Sequence, residues 1–557
     1  MSSRPTPHLT HEVANQPPPR TDVDEYATNL VLAEAVERHD AAWAAEELSV
    51  VGHLVGSASF QHDADLANTN VPTLHPFDRW GNRVDHVEYH PAYHRIIADA
   101  VAHGAHTSAW AQPRPGANVA RAATFMLFSQ VEPGHACPVS MTHAAVPSLA
   151  VQPEVAAQWL PRVLARSYDP ALATAGKPSA LFGMAMTEKQ GGSDVRANTT
   201  VAIPAGQGGP GAEYRLTGHK WFCSAPMSDA FLVLAQAKGA AGEGLSCFLL
   251  PRMLPDGTRN VFRIQRLKDK LGNKSNASSE IELDGTVGVL IGEPGRGVRT
   301  IIEMVARTRL DCVLGSTAGM RQGVAEAIWH ARHRTTFGRV LAEQPAMTAV
   351  LADLALESEA ATLTALRLAR AHDEDADDAE QAFRRLATAV AKYWICKRGP
   401  HHAYEAMECL GGNGYTEDFP LARRYREQPV MAIWEGSGNV IALDVLRALA
   451  REPASAEAFA AELELARGGH PVLDAHLDLT GRRVRELAVD PASAAAQRGA
   501  RGLVEAMALG LQASLLTRFA PSATSSAFVE ARLGPDRNHE YGALPVGADL
   551  ESILSRH

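Results

Sequence analysis

Apolar positions recur every three or four residues over much of this chain. Between Asp24 and Ser57 the positions Leu30, Leu32, Ala33, Val36, Trp43, Leu48, Val51 and Leu54 fall on helical spacing. His94–His103 and Val119–Glu132 repeat the pattern, and Cys137-Pro-Val-Ser-Met-Thr142 opens another helical stretch after a glycine-containing break. Residues 1–22, rich in Pro, Thr and His, read as an arm. Residues 58–92, with Pro72, Pro76 and a Gly81-Asn82 turn, read as loop. His62-Asp-Ala-Asp65 offers metal-ligand residue types there, but without a supporting cluster it reads as a solvated loop.

From Leu181 the period shortens. Tyr214-Arg-Leu216, Ala230-Phe-Leu-Val-Leu-Ala235, Ser246-Cys-Phe-Leu-Leu250 and Ile281-Glu-Leu-Asp-Gly285 are short, apolar and bounded by Gly, Pro or charge, which predicts strands of an antiparallel or barrel-like sheet. Helical spacing resumes near Gly295 and runs through 298–332, 341–371, 379–410 and 440–450, with acidic Asp373–Asp378 as a solvated loop. After residue 450, Leu503, Ala506, Met507, Leu509, Leu511 and Leu515 continue it, and the last stretch, with Gly534, Pro535, Gly542 and Pro545, is less regular. The pattern predicts a mostly α chain with a central β domain. Its units are a helical N-terminal domain (1–180), a β-barrel-like middle domain (181–290), a helical bundle (291–450) and a helical C-terminal extension (451–557).

Composition narrows the function. At 557 residues, 46% hydrophobic and 21% charged, the chain suits a soluble multi-domain protein. A net charge of −10 excludes a molecule that is basic throughout, so a polyanion site would have to be a local patch. Six cysteines without a Cys-x-x-Cys pair point to a reducing compartment. No secretory signal or membrane-length apolar run is evident, and the cytoplasm is the expected location.

One carboxylate stands out. In Met431-Ala-Ile-Trp-Glu-Gly-Ser-Gly-Asn439, Glu435 follows Trp434 and precedes two glycines, with apolar residues on both sides. Desolvation there raises a carboxylate pKa, as a general base near neutral pH requires. Taken alone, a tight turn whose Glu faces water is the simpler reading. In Met186-Thr-Glu-Lys-Gln-Gly-Gly-Ser-Asp194, the hydroxyls of Thr187 and Ser193 and the backbone freed by Gly191 and Gly192 suit a planar ring or a phosphate, or a polar glycine turn. His330 and His333 stand three apart on a helix without a third ligand and read as surface histidines.

These two stretches, with Gly218-His-Lys-Trp-Phe-Cys-Ser224, Arg334-Thr-Thr-Phe-Gly338 followed by Gln344, and Gly411-Gly-Asn-Gly-Tyr415, resemble the acyl-CoA dehydrogenase family, five motifs in family order. The wording Thr-Glu-Lys-Gln-Gly-Gly-Ser-Asp, the segment Lys268–Ala277 and the long tail are similar to its AidB branch, flavoproteins of the bacterial response to DNA alkylation. The resemblance implies FAD as cofactor, an acyl-CoA-like substrate and a homotetramer. It implies Glu435 as the base, because the family's other base position here is Thr308 and the next acid, Asp311, is out of register. It implies cofactor contacts from Met186, Thr187, Gly191, Gly192, Ser193, Trp221, Phe222, Cys223, Ser224, Trp434, Ser437 and Asn439. From a neighbouring subunit it implies contacts by Arg334, Phe337, Gln344, Gly411, Gly412 and Gly414. Cys223 stands where many members have Thr, and Glu408 where many have Gln. The branch further implies double-stranded DNA as a partner of the tail, through Arg482, Arg483, Arg485, Arg498 and Arg501. The tail's eleven Arg against fourteen Asp and Glu leave it at −3.

Overall fold

The computed structural model describes residues 10–172, 177–535, 537 and 539–557; residues 1–9 of the expected arm lie outside them. The N-terminal unit is built on helices Leu30–Arg38, Ala45–Gly56, Ala58–Thr69, Pro91–Ala102, Ala117–Ser129 and Ala136–Ala150. The last two are buried on nearly all sides, as helices without a polar face must be.

Residues 58–92 are not loop. Ser57 caps the helix Ala58–Thr69, which turns Phe60, Ala64 and Ala67 inward and carries the segment His62–Asp65. Asp63 on it pairs with Arg95 and Asp65 with Arg423, so both acids are structural. Thr73–Phe77 and Arg83–Glu88 then form a hairpin whose irregularity falls at Pro76, a residue that cannot donate to the ladder. Asp78 accepts from the N–H groups of Trp80 and Asn82, and Gly81 takes φ +85°, which closes the turn.

The middle unit is a seven-stranded sheet whose central strands close on themselves. Ala230–Ala237 pairs with Val201–Pro204, that with Glu213–Ser224, that with Ser278–Ile291, that with Gly244–Pro251, and this last returns to Ala230–Ala237. The sheet is mixed: Phe182–Ala185 and Val201–Pro204 run parallel to Ala230–Ala237.

Helices Ile302–His333, Pro345–Ala371, Asp378–Glu408, Pro420–Met431 and Gly438–Arg451 form the bundle. Pro420–Met431 escaped the periodicity because it buries charged residues, Arg423, Arg424 and Glu427, along with its apolar ones. The acidic loop is not wholly solvated: Asp373 is buried and accepts from the N–H groups of Gly116 and Asn118. The C-terminal helices Pro453–Glu464, Pro471–Ala488, Ala494–Phe519, Ser522–Leu533 and Leu550–Leu554 lie against the bundle. Ala494–Phe519 buries Leu503, Val504, Met507, Leu511 and Leu515, and Arg367 pairs with Glu462 across the junction at 2.8 Å. The tail is therefore part of the bundle's core rather than an appendage. All six cysteines are free and buried. Among the described residues, no helix is long and apolar enough to cross a membrane.

Candidate functional site

The turn 432–437 joins the helix Pro420–Met431 to Gly438–Arg451. Glu435 sits in it at φ +56°, a region that costs a non-glycine residue about 1–3 kcal/mol. Three consecutive carbonyls explain how it is held. Buried Lys392 donates to the carbonyls of Trp434 (2.8 Å) and Gly436 (2.5 Å), and Arg309 donates to that of Glu435 (3.1 Å). Hydrogen bonds from charged donors contribute about 1.5–3 kcal/mol each, enough to offset the strain. Arg309 is itself oriented by Asp444, at 2.9 Å on the following helix. The N–H groups of Glu435 and Gly436 make no hydrogen bond among the described residues.

The side chain of Glu435 receives a hydrogen bond from the Thr308 hydroxyl at 2.7 Å. Burial pushes its pKa above the usual carboxylate range, opposed by that hydroxyl and by the charges of Arg309 and Lys392. Asp311 is committed elsewhere, in a buried pair with Arg121. Cys137, Met141, Met184 and Ala225 pack with Trp434 into an apolar wall beside the turn. The indole Nε1 of Trp434 is buried without a hydrogen-bond partner among the described residues.

Two other predicted segments meet each other. Trp221 N–H donates to the Thr187 carbonyl at 2.9 Å, and buried Lys220 bonds Glu188 at 2.8 Å. Glu188 also accepts from the N–H groups of Thr199 and Thr200, and its pKa falls to about 2; the largest influence, burial, acts the other way and is outweighed by Lys220 and these bonds. This staple aligns Met186–Asp194 with Gly218–Ser224. Gly192 lies so close to Thr187 that a Cβ would stand 2.5 Å from its hydroxyl oxygen, whereas Gly191 opens onto free space. Ser193 is exposed, and Phe222 is half exposed. Lys268 lies 3.2 Å over the Trp221 ring, and Ser224 shares a hydrogen bond with Ser278 at 3.0 Å. The side chain of Cys223 is wholly buried in the sheet, so a ligand contact there would come from its backbone. Ser437 and Asn439, at the start of Gly438–Arg451, are exposed, and Ser437 makes no side-chain cap bond.

The remaining predicted residues lie apart. Thr308 and Arg334 occupy opposite ends of the helix Ile302–His333, about 39 Å apart along its axis. Arg334 leads into a hairpin in which Thr335–Thr336 pairs with Arg339–Val340. Its tip, Phe337, is fully exposed at φ +51°. Gln344 donates to the Thr336 carbonyl. Gly411, Gly412 and Gly414 form a short 3-10 turn, and the first two open onto free space. Glu408 is exposed and accepts from the Tyr404 hydroxyl. Arg482, Arg483, Arg485 and Arg498 face solvent on the tail helices, while exposed Arg501 donates to Tyr393 of the bundle at 3.1 Å. His330 is not a surface residue: it is buried, and burial lowers its pKa to about 4. No group of residues suited to a metal ion occurs among the described residues.

Sequence reasoning passed over Lys392, Arg309 and the Glu188–Lys220 staple. Lys220 and Glu188 lie inside motifs already singled out; Lys392 and Arg309 carried no local signal, since their targets are backbone carbonyls far along the chain.

Residues 15–170 match the adaptive response protein AidB N-terminal domain, 183–286 the acyl-CoA dehydrogenase middle domain and 295–450 the acyl-CoA dehydrogenase C-terminal domain. The chain is 49% identical over 446 residues to the putative acyl-CoA dehydrogenase AidB of Escherichia coli K12, covering 80% of this chain and 81% of that one. The chain belongs to the AidB branch of the acyl-CoA dehydrogenase family. A second family member, acyl-CoA dehydrogenase family member 11 of Caenorhabditis elegans, is 32% identical over 72% of this chain and 66% of its own. The crystal structure of C. elegans ACDH-11 in complex with C11-CoA superposes with a TM-score of 0.84 at 26% identity, covering 100% of this chain and 94% of that one. The acyl-CoA dehydrogenase fold shared with it thus takes in the C-terminal helices.

Proposed function

We propose that this protein is an FAD-dependent dehydrogenase of acyl-CoA-type thioesters. The observation that carries the reading is the strained Glu435, a base with a raised pKa held beside an apolar wall. Glu435 takes the proton from the carbon next to the thioester carbonyl. The free N–H groups of Glu435 and Gly436 are donors for that carbonyl oxygen, where negative charge develops as the proton leaves. Trp434, Cys137, Met141, Met184 and Ala225 enclose the acyl group and exclude water. FAD, when bound, supplies the acceptor for the hydride leaving the next carbon. The stapled segments 186–194 and 218–224 would hold its ring and diphosphate side, and the open glycines and the unpartnered Trp434 indole fit such a group. An acyl-CoA ligand is supported by the C11-CoA complex of the C. elegans relative.

Arg334 and the Gly411–Gly414 turn belong to the same function in a different place. Arg334 lies about 39 Å along one helix from Thr308, which touches the base, and the N-terminal residues 15–16 bond both the Arg334 hairpin and the glycine turn, so these segments do not serve a cofactor beside Glu435 of their own chain. A second copy brings them to it, and the assembly is a homotetramer in this reading. Duplex DNA as a partner finds no comparable support, since the tail is net acidic and its apolar faces are spent on the bundle.

The test is anaerobic mixing of the purified protein with a panel of acyl-CoAs while following the flavin absorbance. Bleaching by at least one thioester is expected. Glu435→Gln keeps size and shape but cannot take the proton, and should slow bleaching at least about a hundredfold while FAD stays bound. Bleaching of the variant at the wild-type rate would remove Glu435 as the base, and no bleaching of the wild type would remove the dehydrogenase reading.

A further inference from the structure

Residues 15–18, the described part of the N-terminal arm that makes these contacts, run over the end of the molecule that carries Arg334. Just downstream in the chain, the buried Arg20–Glu25 pair anchors the arm. Trp329 Nε1 donates to the Pro18 carbonyl at 2.8 Å. Asn413, in the Gly411–Tyr415 turn, donates to the Gln16 side chain at 3.2 Å. Asn15 makes the tightest set. Its carboxamide Nδ2 donates to the Thr335 carbonyl at 2.8 Å while its Oδ1 accepts from the Thr335 N–H at 2.7 Å. Its own carbonyl accepts from Arg334 at 2.6 Å.

This side chain stands where a third strand would. The hairpin behind Arg334 has only two paired residues on each side, and such an isolated ribbon has little stability of its own. The amide of Asn15 presents to Thr335 the donor and acceptor of a neighbouring peptide. Asn15 also takes φ +56°, which Asn tolerates better than most residues. One edge of the Arg334 guanidinium is fixed on the arm, and its remaining donors make no hydrogen bond among the described residues. Through Gln16 the same arm reaches the glycine turn, so three segments far apart in sequence become one surface.

We propose that the arm is the element that positions Arg334 and the Gly411–Gly414 turn toward the diphosphate of FAD held by a second copy, with Asn15 as the positioning residue. The proposal rests on the reading that these two segments serve the cofactor. Asn15 does not touch the ligand in this scheme; it fixes the guanidinium plane on which a bidentate contact depends.

The experiment uses the full chain, stripped of FAD and titrated with FAD by fluorescence, as wild type, Asn15→Gly, Asn15→Asp and Arg334→Ala. Asn15→Gly keeps the left-handed backbone and loses both side-chain bonds; its affinity for FAD should fall at least about fivefold, the scale of one lost hydrogen bond. Asn15→Asp keeps the acceptor for Thr335 N–H and should recover part of the loss. A merely structural arm would lower the melting temperature of the FAD-free protein and leave FAD affinity at the wild-type value, which overturns the proposal. If Arg334→Ala alone weakens binding, the arm has no positioning role. If Arg334→Ala binds FAD as the wild type does, the assignment of Arg334 to the cofactor is at fault, and the arm's role falls with it.

Discussion

At the residue scale the site turns on one pair, Glu435 and Thr308. The resemblance implied two possible places for a base, and this chain carries a carboxylate, Glu435, at one and a hydroxyl, Thr308, at the other. The structure brings them together at 2.7 Å. That hydroxyl stabilises the charged form of Glu435 against burial, which acts the other way and is the larger influence. Thr308→Val keeps the shape and removes the donor, so the pKa of Glu435 should rise further. The base form is then lost at a higher pH, and the rising limb of kcat/KM against pH should move upward. A limb that stays in place, measured on any thioester that bleaches the flavin, would show that Thr308 does not set the charge of Glu435. Glu435 was legible in the sequence because aromatic, acid and glycine stand together. The hydrogen bond with Thr308 was not, since the two meet only where the turn packs against helix Ile302–His333. Cys223 shows the converse: the motif marks the position, but the side chain faces inward, and only the fold decides which face of a strand a residue takes.

At the scale of elements, the turn is shaped by its neighbours. Helix Asp378–Glu408 supplies Lys392, helix Ile302–His333 supplies Arg309, and the three carbonyls of Trp434, Glu435 and Gly436 receive their donors. Lys392→Met leaves two of those carbonyls without their donor, at about 1–3 kcal/mol for each buried group left unpaired. Glu435 should then relax toward an ordinary backbone conformation. Because small displacements of a catalytic group can cost about a hundredfold, flavin reduction should slow at least tenfold or so with FAD still bound. Lys392→Arg should restore part of the rate. Equal rates for Lys392→Met and wild type would mean that the turn holds its shape unaided. Helices and strands with strong periodicity were readable from the sequence. Ala58–Thr69 was not, because its inward face is mostly alanine and its outward face strongly polar, and Pro420–Met431 was not, because two of its three arginines, Arg423 and Arg424, are buried in ion pairs that composition cannot reveal.

At the scale of the whole molecule, the tail is what periodicity alone left ambiguous. Its helical character was plain, but whether it stood apart depended on ion pairs made across long sequence distances. Arg532 is the clearest of these. It bonds Asp353 and Glu357, both buried on helix Pro345–Ala371, and Arg398 shares Glu357 from the next helix. The backbone N–H of Gly542 also donates to Asp353. Burial raises the pKa of Glu357, but the arginines outweigh it and hold the group at about 2, so the carboxylate is charged at neutral pH. Arg532→Ala therefore leaves buried negative charge under-compensated, at a cost of about 3–5 kcal/mol for a pair broken on one side. The melting temperature at pH 7 should fall by several degrees. Adding Asp353→Asn to Arg532→Ala removes one of the stranded charges and should recover part of that fall, which simple loss of packing would not allow. Cutting the chain at residue 451 exposes the same acids and the bundle face that covers Leu503, Val504 and Met507, so the shortened protein should aggregate rather than persist as a flavin-loaded core. A soluble, FAD-retaining truncation, or an Arg532→Ala protein that melts with the wild type, would show instead that the tail is separable, and its role would have to be sought outside the stability of the bundle.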